Sequence, residues 1–175
     1  KLSYEFLILC TGSLPSSFSV KGVDENCYFF NNLNDLNKLR SFLQKTAKDK
    51  VKRHLFIIGA GPSGVEIACK VNDIYKHKFD INIVERSNEI LSKNKIFNRE
   101  EAEKALENRK INLLLNSTVK EITDQKICIL NNSEIKAFDQ DIVIWTAGVK
   151  ANLPFIDENV TQKNGRILVN EKFQI

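Results

Sequence analysis

The 175-residue sequence has no methionine. It opens with Lys1-Leu2-Ser3-Tyr4, already at the approach to an apolar run, so Lys1 is read as something other than a natural start and the chain as an excised segment. No run of 18 apolar residues occurs, which excludes a spanning helix. No signal peptide is visible either. Membrane-surface contact is neither encoded nor excluded. Blocks of five or more like charges are missing, and a net charge of +4 is too small to argue for nucleic acid. The cysteines Cys10, Cys27, Cys69 and Cys128 form no C-x-x-C pair, and none has histidines at metal spacing. That argues against a metal site and leaves free, buried thiols in a reducing compartment. His54 and His77 stand alone and read as surface or strand-edge residues. What remains is ordinary: 42% hydrophobic and 27% charged residues suit a globular chain with a real core.

The informative stretch is His54-Leu55-Phe56-Ile57-Ile58-Gly59-Ala60-Gly61-Pro62-Ser63-Gly64-Val65-Glu66. An apolar run enters a turn of three glycines spaced G-x-G-x-x-G, and a helical pattern leaves it. In a dinucleotide-binding turn Gly59 permits the tight bend, Gly61 lets a pyrophosphate approach the backbone, and Gly64 lets the helix pack close to the strand. Ala60, Pro62 and Ser63 fill the turn, and the phosphates would meet the N–H groups at the helix N-terminus. A second apolar run, Asp80-Ile81-Asn82-Ile83-Val84-Glu85, ends in a carboxylate about 20 positions after the last glycine, where the ribose hydroxyls need an acceptor. Glu85 would accept the 2′ and 3′ hydroxyls and repel a 2′-phosphate, which favours NADH over NADPH; Arg86 next to it would soften that preference. A kinase-type P-loop is disfavoured because Val65-Glu66, not Lys followed by Ser or Thr, comes after Gly64.

Along the chain, the continuous apolar run Tyr4–Cys10 predicts a buried strand, broken at Thr11-Gly12. A short strand at 27–30 and a helix capped by Asn34 or Asp35, with Leu36, Leu39, Phe42 and Leu43 on one face, lead to the strand at 54–58. The helix after Gly64 runs to about Tyr75, with Val65, Ile67, Ala68 and Val71 inside. Asn98 and Glu101 form a capping-box pattern for a helix to about Arg109, carrying Ala102, Ala105 and Leu106 on one face. A strand at 111–115 follows. Val119, Ile122, Ile127, Ile129 and Ile135 then alternate at period two, giving two or three antiparallel strands that turn at Asp124-Gln125 and Asn131-Asn132. Asp141–Trp145 is the last core strand, and Asn164-Gly165 signals a turn in the tail. The expected class is α/β: a Rossmann-like parallel sheet with helices on both faces and a β-meander crossover, flanked by pieces of a second domain.

The strands Ile8-Leu9-Cys10-Thr11-Gly12 and Ile144-Trp145-Thr146-Ala147-Gly148 echo each other on either side of the nucleotide unit. With these residues in view, the chain resembles the two-dinucleotide-binding flavoproteins of the pyridine nucleotide-disulfide oxidoreductase superfamily, in which a nicotinamide-nucleotide domain is inserted into an FAD domain. Cys10-Thr11-Gly12 and Thr146-Ala147-Gly148 match the family's Ala-Thr-Gly crossings, each with a substitution. Glu66 matches the glutamate that in the family lies beside the nicotinamide. Ile144–Val149 and Gly165–Asn170 resemble type II NADH dehydrogenases. Glu89-Ile90-Leu91 and Phe97–Leu106 resemble the plant and cyanobacterial branch that reduces demethylphylloquinone or plastoquinone.

That resemblance implies residues 1–50 as the end of an FAD-type domain plus a connecting helix, 51–150 as the NAD(H)-binding domain, and 151–175 as a return toward the FAD domain. It implies hydride transfer from NADH to FAD and electrons passed to a quinone, in a protein that is cytoplasmic or organellar and peripheral to a membrane. A homodimer is left open. No catalytic acid or nucleophile is needed from this segment, because the cofactors carry the chemistry. The family's FAD fingerprint and C-terminal membrane-binding region are absent from the segment, so by itself it is expected neither to hold FAD tightly nor to reduce quinone. Two rivals stay open: a reductase of the same superfamily acting on a ferredoxin, disulfide or sulfide, and a nucleotide-sensing regulatory module.

Overall fold

A computed structural model describes residues 3–48, 50–76, 78–153, 159–163 and 165–175. His77 and Asn164 therefore lie outside the described residues. The chain divides into two compact units, one of Ser17–Gly148 and one of Lys1–Ser16 with Val149–Ile175.

The larger unit is built around a five-stranded parallel sheet. Its strands are β2 (Tyr28–Phe29), β3 (Arg53–Ile58), β4 (Phe79–Val84), β5 (Asn112–Leu114) and β9 (Ile142–Trp145), in the order β2-β9-β3-β4-β5. Helices α2 (Leu33–Thr46), α3 (Pro62–Tyr75) and α4 (Ile96–Asn108) connect them, and the one-turn α1 (Val23–Asn26) precedes β2. An antiparallel meander of β6 (Ser117–Ile122), β7 (Lys126–Asn131) and β8 (Glu134–Asp139) precedes β9. Strand β9 is apolar at every position and β3 is apolar from Leu55 to Ile58, because both faces of the sheet are covered there. Alternate residues go to opposite sides. Leu55, Ile57, Ile142 and Ile144 join a core with Leu39, Leu43, Val65, Ala68 and Leu106 of the long helices. Phe56, Ile58, Val143 and Trp145 join a second core with Val119, Ile122, Ile127 and Ile129 of the meander. The expectation of helices on both faces is thus corrected: the long helices cover one face, and the meander, joined by Val23 of the one-turn α1, covers the other. The meander can do so because its inward positions are β-branched and buried. Ile135, on the edge strand β8, is 61% exposed and does not join them.

The compact unit takes in residues 17–50, since Leu39 and Leu43 share a core with Leu55. The cap of α2 is Asn32, whose side chain accepts from the Asp35 N–H at 3.0 Å, and not Asn34 or Asp35. The capping box at Asn98 is not formed either. The cap of α4 is Lys95, three residues earlier, the Asn98 N–H donates to the Lys95 carbonyl, and Glu101 pairs with Lys104 one turn on at 2.8 Å.

In the smaller unit, β1 (Ser13–Pro15) pairs antiparallel with β10 (Val149–Ala151), and β11 (Gln162–Lys163) with β12 (Arg166–Ile167). The buried strand expected at 4–10 is not formed; Phe6 and Ile8 are exposed. A continuous apolar run becomes a buried strand only when flanking strands satisfy its backbone, and no described residue pairs with this one.

The thiols are free, but only three are sheltered: Cys27, Cys69 and Cys128 are half-buried and Cys10 is exposed. Burial, reinforced by Asp24 and Glu25, pushes the Cys27 thiol up to about 12. At pH 8 only about one such thiol in 10,000 is the reactive thiolate. Brief iodoacetamide treatment at pH 8, read by peptide mass spectrometry, should label Cys10 and leave Cys27 unmodified. Equal labelling would contradict the packing around Cys27.

Candidate nucleotide-binding site

Strands β3 and β4 run parallel to β9, so their C-terminal ends finish at one edge of the sheet. Chain order reverses between β3 and β9, since β4 lies on one side of β3 and β9 on the other. Such switch points leave a crevice outside the strand ends. Here it has a volume of about 250 Å³ and is lined by Ile58, Gly59, Glu85, Arg86, Trp145 and Ala147, with Phe18, Val20, Val84 and Ser117-Thr118-Val119 closing the rest.

The glycine turn is held from three sides. The Gly59 N–H donates to Val84 O at 2.8 Å, and Gly59 has φ +103°, a backbone region that favours glycine. The Thr146 hydroxyl lies 2.8 Å from Ile58 O and 3.2 Å from Gly59 O, tying the end of β9 to the turn. The Leu91 N–H donates to Ala60 O at 2.9 Å, while Ile90 is buried in the helix-side core. Gly64 packs so close that a Cβ there would lie 1.9 Å from Gly59 O. Gly61 is the opposite case. It is exposed, and a Cβ there would meet nothing within 4 Å. Gly61 caps α3 with Pro62 in its first turn and no side chain capping it. The first N–H groups of an uncapped helix are orphan donors that suit an anion. Ser63 and Glu66 are exposed on the same first turns.

Glu85 comes directly after β4. Its Oε2 accepts from the Ala60 N–H at 2.8 Å; its Oε1 accepts from the Ser87 N–H and the Ser87 hydroxyl, both at 2.9 Å. Burial alone would raise its pKa, but those hydrogen bonds and the neighbouring Arg86 charge outweigh it, and the carboxyl sits below its ordinary value. A carboxylate offers about four lone-pair positions. Three are taken, which leaves acceptor capacity on Oε2.

The structure therefore gathers Gly59, Ala60, Gly61, Pro62, Ser63, Gly64, Glu85, Arg86, Thr146 and Ala147 around one turn and one crevice, with Gly148 beside the Phe18 ring. Thr11 and Gly12 belong to the smaller unit, where Asn152 donates to both of their carbonyls at 3.0 and 3.1 Å just ahead of β1. The two echoing small-residue segments, Thr11-Gly12 and Thr146-Ala147-Gly148, are each followed by a strand, and these strands, β1 and β10, pair with each other. Sequence reasoning missed Phe18, Ser87, Ser117 and Thr118. The signal available for the last two was their place just after a parallel strand, where crevice loops arise. Among the described residues no group of three or more His, Cys, Asp or Glu could hold a metal, and no helix is long and apolar enough to cross a membrane.

Fold and crevice define an α/β unit of the Rossmann, dinucleotide-binding type. The chain belongs to the pyridine nucleotide-disulphide oxidoreductase family, whose model matches residues 1–175. It is 28% identical over 182 residues to the demethylphylloquinone reductase NdbB of Synechocystis, covering 99% of this chain and 45% of that protein. It is 24% identical over 200 residues to the external alternative NAD(P)H-ubiquinone oxidoreductase B3, mitochondrial, of Arabidopsis thaliana, covering 98% of this chain and 34% of that one. Its fold matches NDH2 of Plasmodium falciparum, solved in complex with NADH, at TM-score 0.68 and 25% identity over 79% of this chain and 33% of that one. The chain thus spans less than half the length of these relatives.

Proposed function

We propose that this chain is the NADH-binding part of a flavoprotein dehydrogenase that passes hydride from NADH to FAD and electrons on to a quinone, at a membrane surface. The observation that carries the reading is the crevice at the β3/β9 switch point, walled by the glycine turn on one side and by the anchored Glu85 on the other. The residues present fit a dinucleotide: Gly61 leaves open space where a pyrophosphate would lie, and Glu85 keeps an acceptor for a ribose hydroxyl. Glu66, exposed on the first turns of α3, is assigned to the nicotinamide end. Thr11-Gly12 and Thr146-Ala147-Gly148 are assigned to the flavin-side crossings. The quinone acceptor rests on the relatives, which are named as demethylphylloquinone and ubiquinone reductases. Residues 17–148 are assigned as the nucleotide-binding domain. No second G-x-G-x-x-G occurs in the chain, so FAD is assigned to the whole protein.

Within this reading the protein's part is positional. The donors at the start of α3 hold phosphate, Glu85 orients the adenine-side ribose, and Thr146 keeps the turn against β9. The nicotinamide and flavin would supply the redox chemistry when bound. Trp145 is the sole tryptophan and lines the crevice. Titration with NADH should quench its fluorescence saturably, and NADPH should do so more weakly. Absence of quenching together with absence of calorimetric heat for both nucleotides would overturn the assignment.

A further inference from the structure

A second cavity, of about 500 Å³, lies at the opposite end of β9 from the crevice. It reaches Asp141 and Ile142, where that strand begins, whereas the crevice lies at Trp145, where it ends. Five carboxylates line it, Asp24, Glu25, Asp35, Asp124 and Asp141, against the single base Lys38. The chain as a whole carries a net charge of +4, so this concentration of negative charge runs against the sign of the protein. Asp24, Asp35 and Asp141 already accept hydrogen bonds, from the Ser17 hydroxyl, the Asn31 N–H and the Arg53 guanidinium. Glu25 and Asp124 are exposed and make no hydrogen bond or ion pair with the described residues. Tyr28 and Phe42, with ring centroids 5.1 Å apart, give the same cavity an aromatic wall.

Gln140 lines the cavity as well and is only 7% exposed. Its Nε2 donates to Thr123 O at 2.6 Å and its N–H to Gln125 O at 2.9 Å, which ties the turn carrying Asp124 to the start of β9. Its Oε1 is buried and accepts no hydrogen bond from the described residues. A buried acceptor without a donor costs free energy that a donor entering the cavity recovers. The occupant this favours is therefore a cation that carries N–H groups. A metal ion brings no donor, and among the described residues no three acids are grouped to hold one. We propose that this cavity binds a linear polyamine. Its ammonium groups pair with Glu25 and Asp124, one N–H satisfies Gln140 Oε1, and the charged chain lies against the Tyr28 and Phe42 rings. The site is independent of the dinucleotide reading, and its place at the far end of β9 lets polyamine and nucleotide bind without competing.

The test is calorimetry on the 175-residue chain with spermidine, at constant ionic strength. One saturable site is expected, with the same affinity when NADH is already present. Glu25→Gln combined with Asp124→Asn should weaken spermidine about tenfold, a few-fold for each screened ion pair. Glu103→Gln combined with Glu107→Gln removes the same charge from α4 and should change the affinity by less than about twofold, since screening confines the effect of exposed charges to their neighbourhood. Mg²⁺ at the same ionic strength should not displace spermidine. All four substituted side chains are exposed, so the fold is expected to survive, and thermal melts check it. Absence of saturable spermidine binding overturns the proposal. Equal weakening by the two pairs of substitutions also overturns it, because net charge would then suffice, and so does displacement by Mg²⁺. Competition between NADH and spermidine would place the amine in the crevice and overturn it too. A chain that binds spermidine but no nucleotide upholds this site while overturning the crevice assignment.

Discussion

Gly64→Ala should destabilise the chain and abolish most nucleotide binding, whereas Gly61→Ala should weaken binding while leaving the melting temperature nearly unchanged. Both residues belong to the same G-x-G-x-x-G turn, and the structure separates their work. At Gly64 the missing Cβ would lie 1.9 Å from Gly59 O and 3.0 Å from the Thr146 hydroxyl, and the first of these is backbone that cannot rotate away. Alanine is the better helix former by about 1 kcal/mol, so propensity alone predicts stabilisation. The clash wins, because α3 must lift off the end of β3 and disturb the bonds that tie Thr146 to Ile58 and Gly59. Overpacking of this kind costs about 1–3 kcal/mol, which for a chain of this size corresponds to a fall in Tm of roughly 2–10 °C. At Gly61 the same methyl group meets nothing within 4 Å and the backbone has an ordinary φ of −73°. Loss there comes only from space that the pyrophosphate needs, and about tenfold weaker NADH binding is expected. Thermal melts and calorimetry on the two variants decide the matter. A Gly64→Ala chain that melts with the wild type would show that close helix–strand packing is not what the third glycine secures. Undiminished NADH affinity in Gly61→Ala would move the pyrophosphate away from the turn.

The parallel sheet, its three long helices and the meander were legible because their periodicities are strong and local. Leu55–Ile58 is apolar throughout, Val119 to Ile129 alternates, and the helical faces repeat at three and four. What was not legible depends on partners distant in the chain. The run Tyr4–Cys10 has the composition of a buried strand, but burial is a property of neighbours that the run does not specify. The layer opposite the helices could not be read from alternation alone, because Val119, Ile127 and Ile129 announce a one-sided sheet without saying which surface it covers. Cap choice failed at Asn98 for a smaller reason: Glu101 has Lys104 one turn away, and an ion pair there competes with the capping box. At the site, Glu85 was found by its distance from the glycines. Ser87 was not, because its contribution is a side-chain position set by the turn after β4 and carries no spacing rule.

Glu85→Gln should narrow the gap between NADH and NADPH mainly by weakening NADH, by about tenfold, with only a small gain for NADPH. Glutamine has one carbonyl oxygen and an NH₂ group where glutamate has two acceptors. Whichever way the amide turns, its NH₂ faces a donor, either the Ala60 N–H or the paired donors of Ser87. The side chain then no longer clamps the glycine turn to the turn after β4, and the oxygen intended for the ribose is lost or reassigned. A stability loss of about 1 kcal/mol is expected for a half-exposed network of this kind. The sign of its pH dependence follows from the carboxyl's position below its ordinary value of 4.5. A group whose native pKa is depressed contributes stability that is fully present above the unfolded value and is lost as pH falls through the native one. The stability difference between wild type and Glu85→Gln should therefore be constant at neutral pH and shrink as pH drops below about 4.5, because protonated Glu85 is itself a poorer acceptor. Denaturant melts from pH 7 down to acid, alongside nucleotide titrations at pH 7, test both halves. A gap between the two nucleotides that stays as wide in Glu85→Gln as in the wild type would show that the ribose is read elsewhere. An unchanged stability difference across the acid range would show that the Ala60–Glu85–Ser87 bonds do not hold the turn in solution.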